Sequence, residues 1–186
     1  MKWSNYKDNV VNALNSFKFD EKILKILEDS IKKNQKVFVA GNGGSAAIAL
    51  HYTCDFSKGA NENWENNTNR IKAICLTSNI SYITAIANDT NYDRIFKEQL
   101  INLASPNDIL ILISSSGNSP NIVEAANYAK GHGLVVVGIT GFSGGKLKEI
   151  ADYSAHIEFN SYEICEGVHS IFGHFLATYL REREHQ

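Results

Sequence analysis

Two strand-to-helix turns constrain this chain more than any other feature in it. Lys36-Val-Phe-Val-Ala-Gly-Asn-Gly-Gly-Ser45 runs from a short apolar segment into glycines and a serine, and an apolar-periodic stretch, Ala46 to Phe56, follows at once. Asp108-Ile-Leu-Ile-Leu-Ile-Ser114-Ser-Ser-Gly-Asn-Ser119 repeats the logic, a strand emptying into four serines and a glycine before another helix. A buried strand, a tight turn and a helix N-terminus together present backbone N–H groups and a helix dipole to an anion. Two such turns predict one phosphorylated small molecule held at the carboxyl edge of a parallel sheet.

The rest of the chain supplies that sheet. Apolar runs predict strands near Val37–Ala40, Ile71–Leu76, Ile109–Ser114, Leu134–Thr140 and Tyr153–Phe159. Helical periodicity covers Tyr6 to Lys33, with a break in Asn15–Asp20, and returns at Ala46–Phe56, Tyr82–Ala87, Tyr92–Leu103, Ile122–Lys130, Leu147–Ala151 and Cys165–Arg183. Strands alternating with helices predict an α/β fold, a doubly wound parallel sheet. Continuous runs such as Ile109-Leu-Ile-Leu-Ile113 say that both of its faces are covered. The 186 residues fit a single domain: a helical segment 1–34, a sheet core 35–160 and a C-terminal helix 161–186. Pro120 sits just inside a helix start, where its missing N–H costs little. Gly59 to Arg70, with five asparagines, reads as a surface loop.

Several function classes drop out. A net charge of −2 without a basic cluster gives nucleic acid no phosphate-tracking surface. No stretch approaches the ~20 apolar residues of a membrane span, and the N-terminus lacks a signal-peptide core. Cys54, Cys75 and Cys165 lack zinc-type spacing and read as reduced thiols in a cytoplasmic protein. Gly41-Asn-Gly-Gly-Ser-Ala46 satisfies a loose dinucleotide pattern, but the next strand ends in Thr77-Ser-Asn79 without the acidic residue that grips a ribose. No nucleoside triphosphate loop is present either.

Acid–base chemistry has few candidates. His51 and Asp55 stand four apart on the helix after the first turn and share a face. Alone they read as a surface pair worth a few tenths of a kcal/mol, but their helix also opens the anion site. Glu166, His169 and His174 lie on the last helix. An imidazole with a carboxylate is the equipment for moving protons or holding a divalent metal. Glu166-x-x-His169 has the spacing of a di-iron half-site, but lacks the further carboxylates and second copy such a site needs. His132 and His185 default to solvent, and His156, alternating along a strand, is structural.

Gly41-Asn-Gly-Gly-Ser45, Ser114-Ser-Ser-Gly-Asn-Ser119, Ala87-Asn88-Asp89 and the late pair His169 and His174 resemble the sugar isomerase (SIS) family. Within it the chain is most similar to the phosphoheptose isomerases, over nearly its whole length. The resemblance implies a flavodoxin-like five-stranded parallel sheet flanked by helices, with the N-terminal helices and long C-terminal helix used to assemble a homotetramer. It implies conversion of sedoheptulose 7-phosphate to D-glycero-D-manno-heptose 7-phosphate. By position, Ser114, Ser115, Ser116 and Ser119 would bind the phosphate with Asn42, Gly43 and Ser45. Asn88, Asp89 and Glu166 would touch substrate. Asp55 and His174 would be the catalytic pair, and His51, Asp55, Glu166 and His174 would hold a divalent metal, zinc in the first instance.

The chain departs from the family's pattern at that site. Asp55 stands where the family has a glutamate, Glu166 where it has a glutamine, Lys58-Gly59 where an arginine is usual and Glu163 where it has an aspartate. Two imidazoles and two carboxylates suit zinc, and also manganese or iron. Aldose–ketose isomerisation needs a group to move a proton between adjacent carbons and stabilisation of the developing oxyanion; Asp55 and His174 are assigned as that pair. Two rival readings stand beside the enzyme: a non-catalytic SIS module that binds a sugar phosphate or associates with the replication initiator, and an isomerase of another phosphosugar. Glu166 and His174, eight residues apart, would be about 12 Å apart along a continuous helix. Sharing one ion therefore requires either a helix that starts after Glu166 or a site between subunits.

Overall fold

The computed structural model describes residues 1–61, 65 and 70–183. Most of the loop expected at Gly59–Arg70, and His185 in the tail, lie outside them. The chain opens with helix α1 (Trp3–Ser16), strand β1 (Lys18–Phe19) and helix α2 (Lys22–Lys32). The first turn lies between β2 (Lys36–Gly41) and α3 (Gly43–Cys54), which passes directly into a π-helical turn, Asp55–Gly59. Then come β3 (Lys72–Cys75), α4 (Ile80–Asp89), a 3-10 turn (Tyr92–Arg94) and α5 (Lys97–Leu103). The second turn joins β4 (Ile109–Ser114) to α6 (Pro120–Gly131), and β5 (Val135–Thr140), α7 (Gly145–Ile150), β6 (Tyr153–His156) and α8 (Tyr162–Glu182) complete the chain.

The sheet order is β1-β6-β5-β4-β2-β3. β2 to β6 are mutually parallel, Val37 pairing with Ile109 and Ile109 with Val135. The expected five-stranded sheet needs one correction: a sixth strand, β1, adds antiparallel to β6, Lys18 opposite His156, so the sheet is mixed. It occupies the expected break between the first two helices. Phe17 and Phe19, two apart, point to one side, and their rings pack 5.0 and 5.1 Å from that of Phe172, which holds the segment extended. Two further boundaries move. The stretch Tyr92–Leu103 is a 3-10 turn and a short helix rather than one helix, and α8 begins at Tyr162.

Alternation along the central strands sends side chains to two cores. Val37, Val39, Ile109, Ile111 and Ile113 pack with Ile23 and Leu27 of α2, Tyr52 and Phe56 after the first turn, and Phe172 and Leu176 of α8. Phe38, Ala40, Leu110 and Leu112 face Leu100 of α5 and Ile122, Ala125 and Ala126 of α6. Burial on both faces explains why β4 is apolar from Ile109 to Ile113. The chain leaves β2 toward one edge and β4 toward the other, so the sheet has its topological switch point between them, where ligands of open α/β sheets bind.

Candidate active site

Both turns open into that crevice. A cavity of about 230 Å³ is lined by Asn42, Gly43, Gly44 and Ser45 from the first, Ser114, Ser115, Ser116 and Ser119 from the second, and Tyr162 and Glu166 from α8. Gly43 has φ of 55°, the left-handed region that glycine enters freely. The Glu166 carboxylate lies where a Cβ on Gly44 would be, so a side chain there would displace it. Asn42 and Ser119 are the N-cap residues of α3 and α6, yet neither side chain caps its helix. The Ser115 hydroxyl oxygen is buried without a hydrogen-bond partner. Donors and hydroxyls of this kind suit a phosphate, and the lining includes no lysine or arginine.

The acid–base candidates gather elsewhere on the same two helices. Asp55 Oδ2 lies 3.4 Å from His51 Nε2 and 3.2 Å from His174 Nδ1. The two imidazoles meet edge to face with centroids 4.8 Å apart. Asp55 sits at the start of the π-helical turn that extends α3, and α8 approaches closely enough because Gly173, one residue before His174, packs on the Tyr52 ring, where a Cβ would overlap it. Tyr52 donates to the His169 carbonyl at 2.5 Å, a second tie between these helices. Burial and the Asp55 charge push the Tyr52 phenol far up, so it stays protonated. The buried Asp55 Oδ2 makes no hydrogen bond of normal geometry, and one donor atom from each of His51, Asp55 and His174 lies within 4.8 Å of the others. An orphan carboxylate oxygen between two imidazoles is a donor set that fits a divalent cation such as zinc.

Glu166 does not join this cluster within the chain. α8 is continuous from Tyr162 to Glu182, so the possibility that the helix begins after Glu166 is removed. Its carboxylate lies instead on the first turn of α3. Burial and the neighbouring Glu163 hold Glu166 above the usual carboxylate range, against the pull of the Ser45 N–H. Glu163 itself is bound to the α8 N-cap, accepting from Ser161 Oγ at 2.7 Å, which lowers it. Asn88 and Asp89 are exposed at the end of α4, hydrogen-bonded to each other at 2.9 Å, and do not line the cavity.

Sequence reasoning missed three contributors. Tyr162 lines the cavity, Asn121 is buried against Asn42, and Tyr92 donates to Asn42 Oδ1 at 3.3 Å. Only Asn121 carried a readable signal, as a polar residue in the first turn of a helix that opens an anion site.

The SIS domain model matches residues 5–141, which take in both turns and the His51–Asp55 pair. This chain belongs to the SIS domain family. It is 37% identical over 160 residues to the phosphoheptose isomerase of Aliarcobacter butzleri, covering 86% of this chain and 82% of that one. Among solved structures it resembles a phosphoheptose isomerase from Francisella tularensis with a TM-score of 0.83, at 26% identity, over 96% and 95% of the two chains. It resembles the phosphoheptose isomerase GmhA from Neisseria gonorrhoeae with a TM-score of 0.78, also at 26% identity, over 95% and 89%. Among the described residues no helix is long and apolar enough to cross a membrane.

Proposed function

We propose that this chain is a sugar-phosphate isomerase that converts sedoheptulose 7-phosphate to D-glycero-D-manno-heptose 7-phosphate through an enediol. The observation that carries the reading is Asp55 Oδ2, buried without a hydrogen bond between the imidazoles of His51 and His174. A module that only binds sugar phosphate has no use for it. The two serine and glycine turns take the phosphate, so that remote binding energy aligns the reacting carbons. Asp55 and His174, 3.2 Å apart, take and return the proton at the carbon beside the carbonyl and serve the adjacent oxygens. His51, Asp55 and His174 would hold a divalent metal, zinc by its donor set, which supplies Lewis-acid polarisation of the carbonyl.

The complete site lies between copies in a homo-oligomer, a tetramer by analogy with the family. His51 and His174 each leave about half of the side chain exposed, and Glu166 is two helical turns away on its own α8. A second copy can bring its own Glu166 and phosphate cavity to the cluster. An apolar groove of Leu14, Phe17, Phe19, Ile171 and Phe175 offers surface for that association.

Incubation with sedoheptulose 7-phosphate in D2O tests the activity: deuterium should appear at the carbon beside the carbonyl. No exchange with this or any other ketose phosphate would leave a binding module instead. Mixing Glu166→Ala with His174→Ala protein tests the sharing. Activity should partly return, and a fully active monomer at nanomolar concentration would rule a shared site out.

A further inference from the structure

An N-cap asparagine ordinarily turns its side chain back to accept from the second or third N–H of its helix. Asn42 occupies that position on α3 and does not do so. Its amide is turned across the crevice into a reciprocal pair with Asn121: Asn42 Nδ2 donates to Asn121 Oδ1 at 2.8 Å, and Asn121 Nδ2 donates to Asn42 Oδ1 at 2.9 Å. Tyr92 adds a third bond to Asn42 Oδ1 at 3.3 Å. Asn121 is 1% exposed and follows Pro120 in the first turn of α6, so it is anchored on the second anion turn while it holds the first. The group that rests on the first turn of α3 is the Glu166 carboxylate, brought from α8. Beside it the Ser115 hydroxyl, in a residue only 4% exposed, lines the same cavity without a partner.

We infer that Asn121 is a positioning residue for the phosphate seat: it holds the Asn42 amide away from α3, so that the N–H groups of Gly44 and Ser45 remain open to an exchangeable anion. The inference rests on the reading that this cavity takes the substrate phosphate. Its physical basis is competition at high effective concentration. A capping amide tethered one residue from the donors is always present, whereas a phosphate ester must arrive from solution. Left free, Asn42 would close the seat. Paired with Asn121 on both its oxygen and its nitrogen, it cannot reach the donors. Glu166, which reaches the Ser45 N–H from α8, is the carboxylate a bound phosphate would displace.

The test measures dissociation constants for inorganic phosphate, by calorimetry at fixed ionic strength, in four proteins: wild type, Asn121→Ala, Asn42→Ala and the double variant. Phosphate is the probe because it reads the seat without any contact between Asn42 and the sugar. Asn121→Ala should bind phosphate at least tenfold more weakly than wild type, whereas in the Asn42→Ala background, which has lost its own Asn42 contacts and has no capping amide to release, adding Asn121→Ala should change the constant by less than threefold. The double variant should return to the Asn42→Ala value. A residue that merely supports the fold would weaken binding equally in both backgrounds, and that result overturns the inference, as does a folded Asn121→Ala protein that binds like wild type. Asn121→Leu, similar in size and without hydrogen bonds, gives the same comparison should the alanine variant fail to fold. Phosphate that binds none of the four proteins, wild type included, refutes the phosphate reading itself and the inference with it.

Discussion

His169 should make this protein acid-sensitive by a calculable amount. The ring is fully buried under α8, and neither nitrogen has a hydrogen bond of normal geometry. The nearby Thr140 carbonyl already accepts from the Ile157 N–H at 3.0 Å and only partly offsets the effect of burial, which, with His156 close by, lowers His169 to about 4. An unfolded chain protonates the same ring near its ordinary 6.5. Between those two values the unfolded state binds the extra proton, so stability falls as the pH falls. Above pH 6.5 the ring is neutral in both states and contributes no slope. The loss at pH 5 relative to pH 7 comes to about 2 kcal/mol, and it levels off near 3 kcal/mol below pH 4, at about 1.4 kcal/mol for each unit. Urea unfolding at fixed protein concentration, at pH 7, 6 and 5, should show that wild type loses this much more than His169→Leu. The half-buried His156, lowered by burial and by Lys148, is common to both proteins, as is Glu166, whose raised carboxyl acts in the opposite sense. At pH 7 the leucine variant should be at least as stable as wild type, because it removes two unsatisfied buried nitrogens. Parallel stability curves for the two proteins from pH 7 to pH 5 would refute the reasoning.

Two perturbations of the acid–base cluster follow. Asp55→Asn and His174→Ala should each lower turnover on sedoheptulose 7-phosphate by roughly 10²–10⁴ with the fold intact by circular dichroism, and Asp55→Glu, which restores the family's residue, should keep or raise it. Gly173→Ala should force α8 away from the Tyr52 ring, costing about 1–3 kcal/mol of stability as overpacking does; because it also moves His174 from Asp55, kcat should fall while the affinity for inorganic phosphate stays unchanged, and equal losses in both would contradict the separation of the two halves of the site.

What could be read from the residues, and what could not, divides along physical lines. β4 was legible because six consecutive buried positions leave an apolar run ended by serines, and the two turns because glycine and serine follow an apolar run directly and a helical period begins straight after them. β1 was not, since two residues are too few to establish a period; only the Phe17–Phe19 spacing marked it, and its meaning depends on Phe172, which is distant in sequence. The His51–Asp55 spacing gave one helical face correctly, but that Asp55 begins a π-helical turn depends on how α3 ends against the core. Glu166 is the instructive residue. The family resemblance puts it at one metal with His174, while a spacing of eight turns it about 80° around a straight helix and keeps the two about 12 Å apart along the axis. Periodicity specifies direction and says nothing of whether a helix is interrupted. With α8 unbroken, Glu166 lines the cavity between the two turns of its own chain, and a metal shared with His51, Asp55 and His174 would need the cluster of another copy.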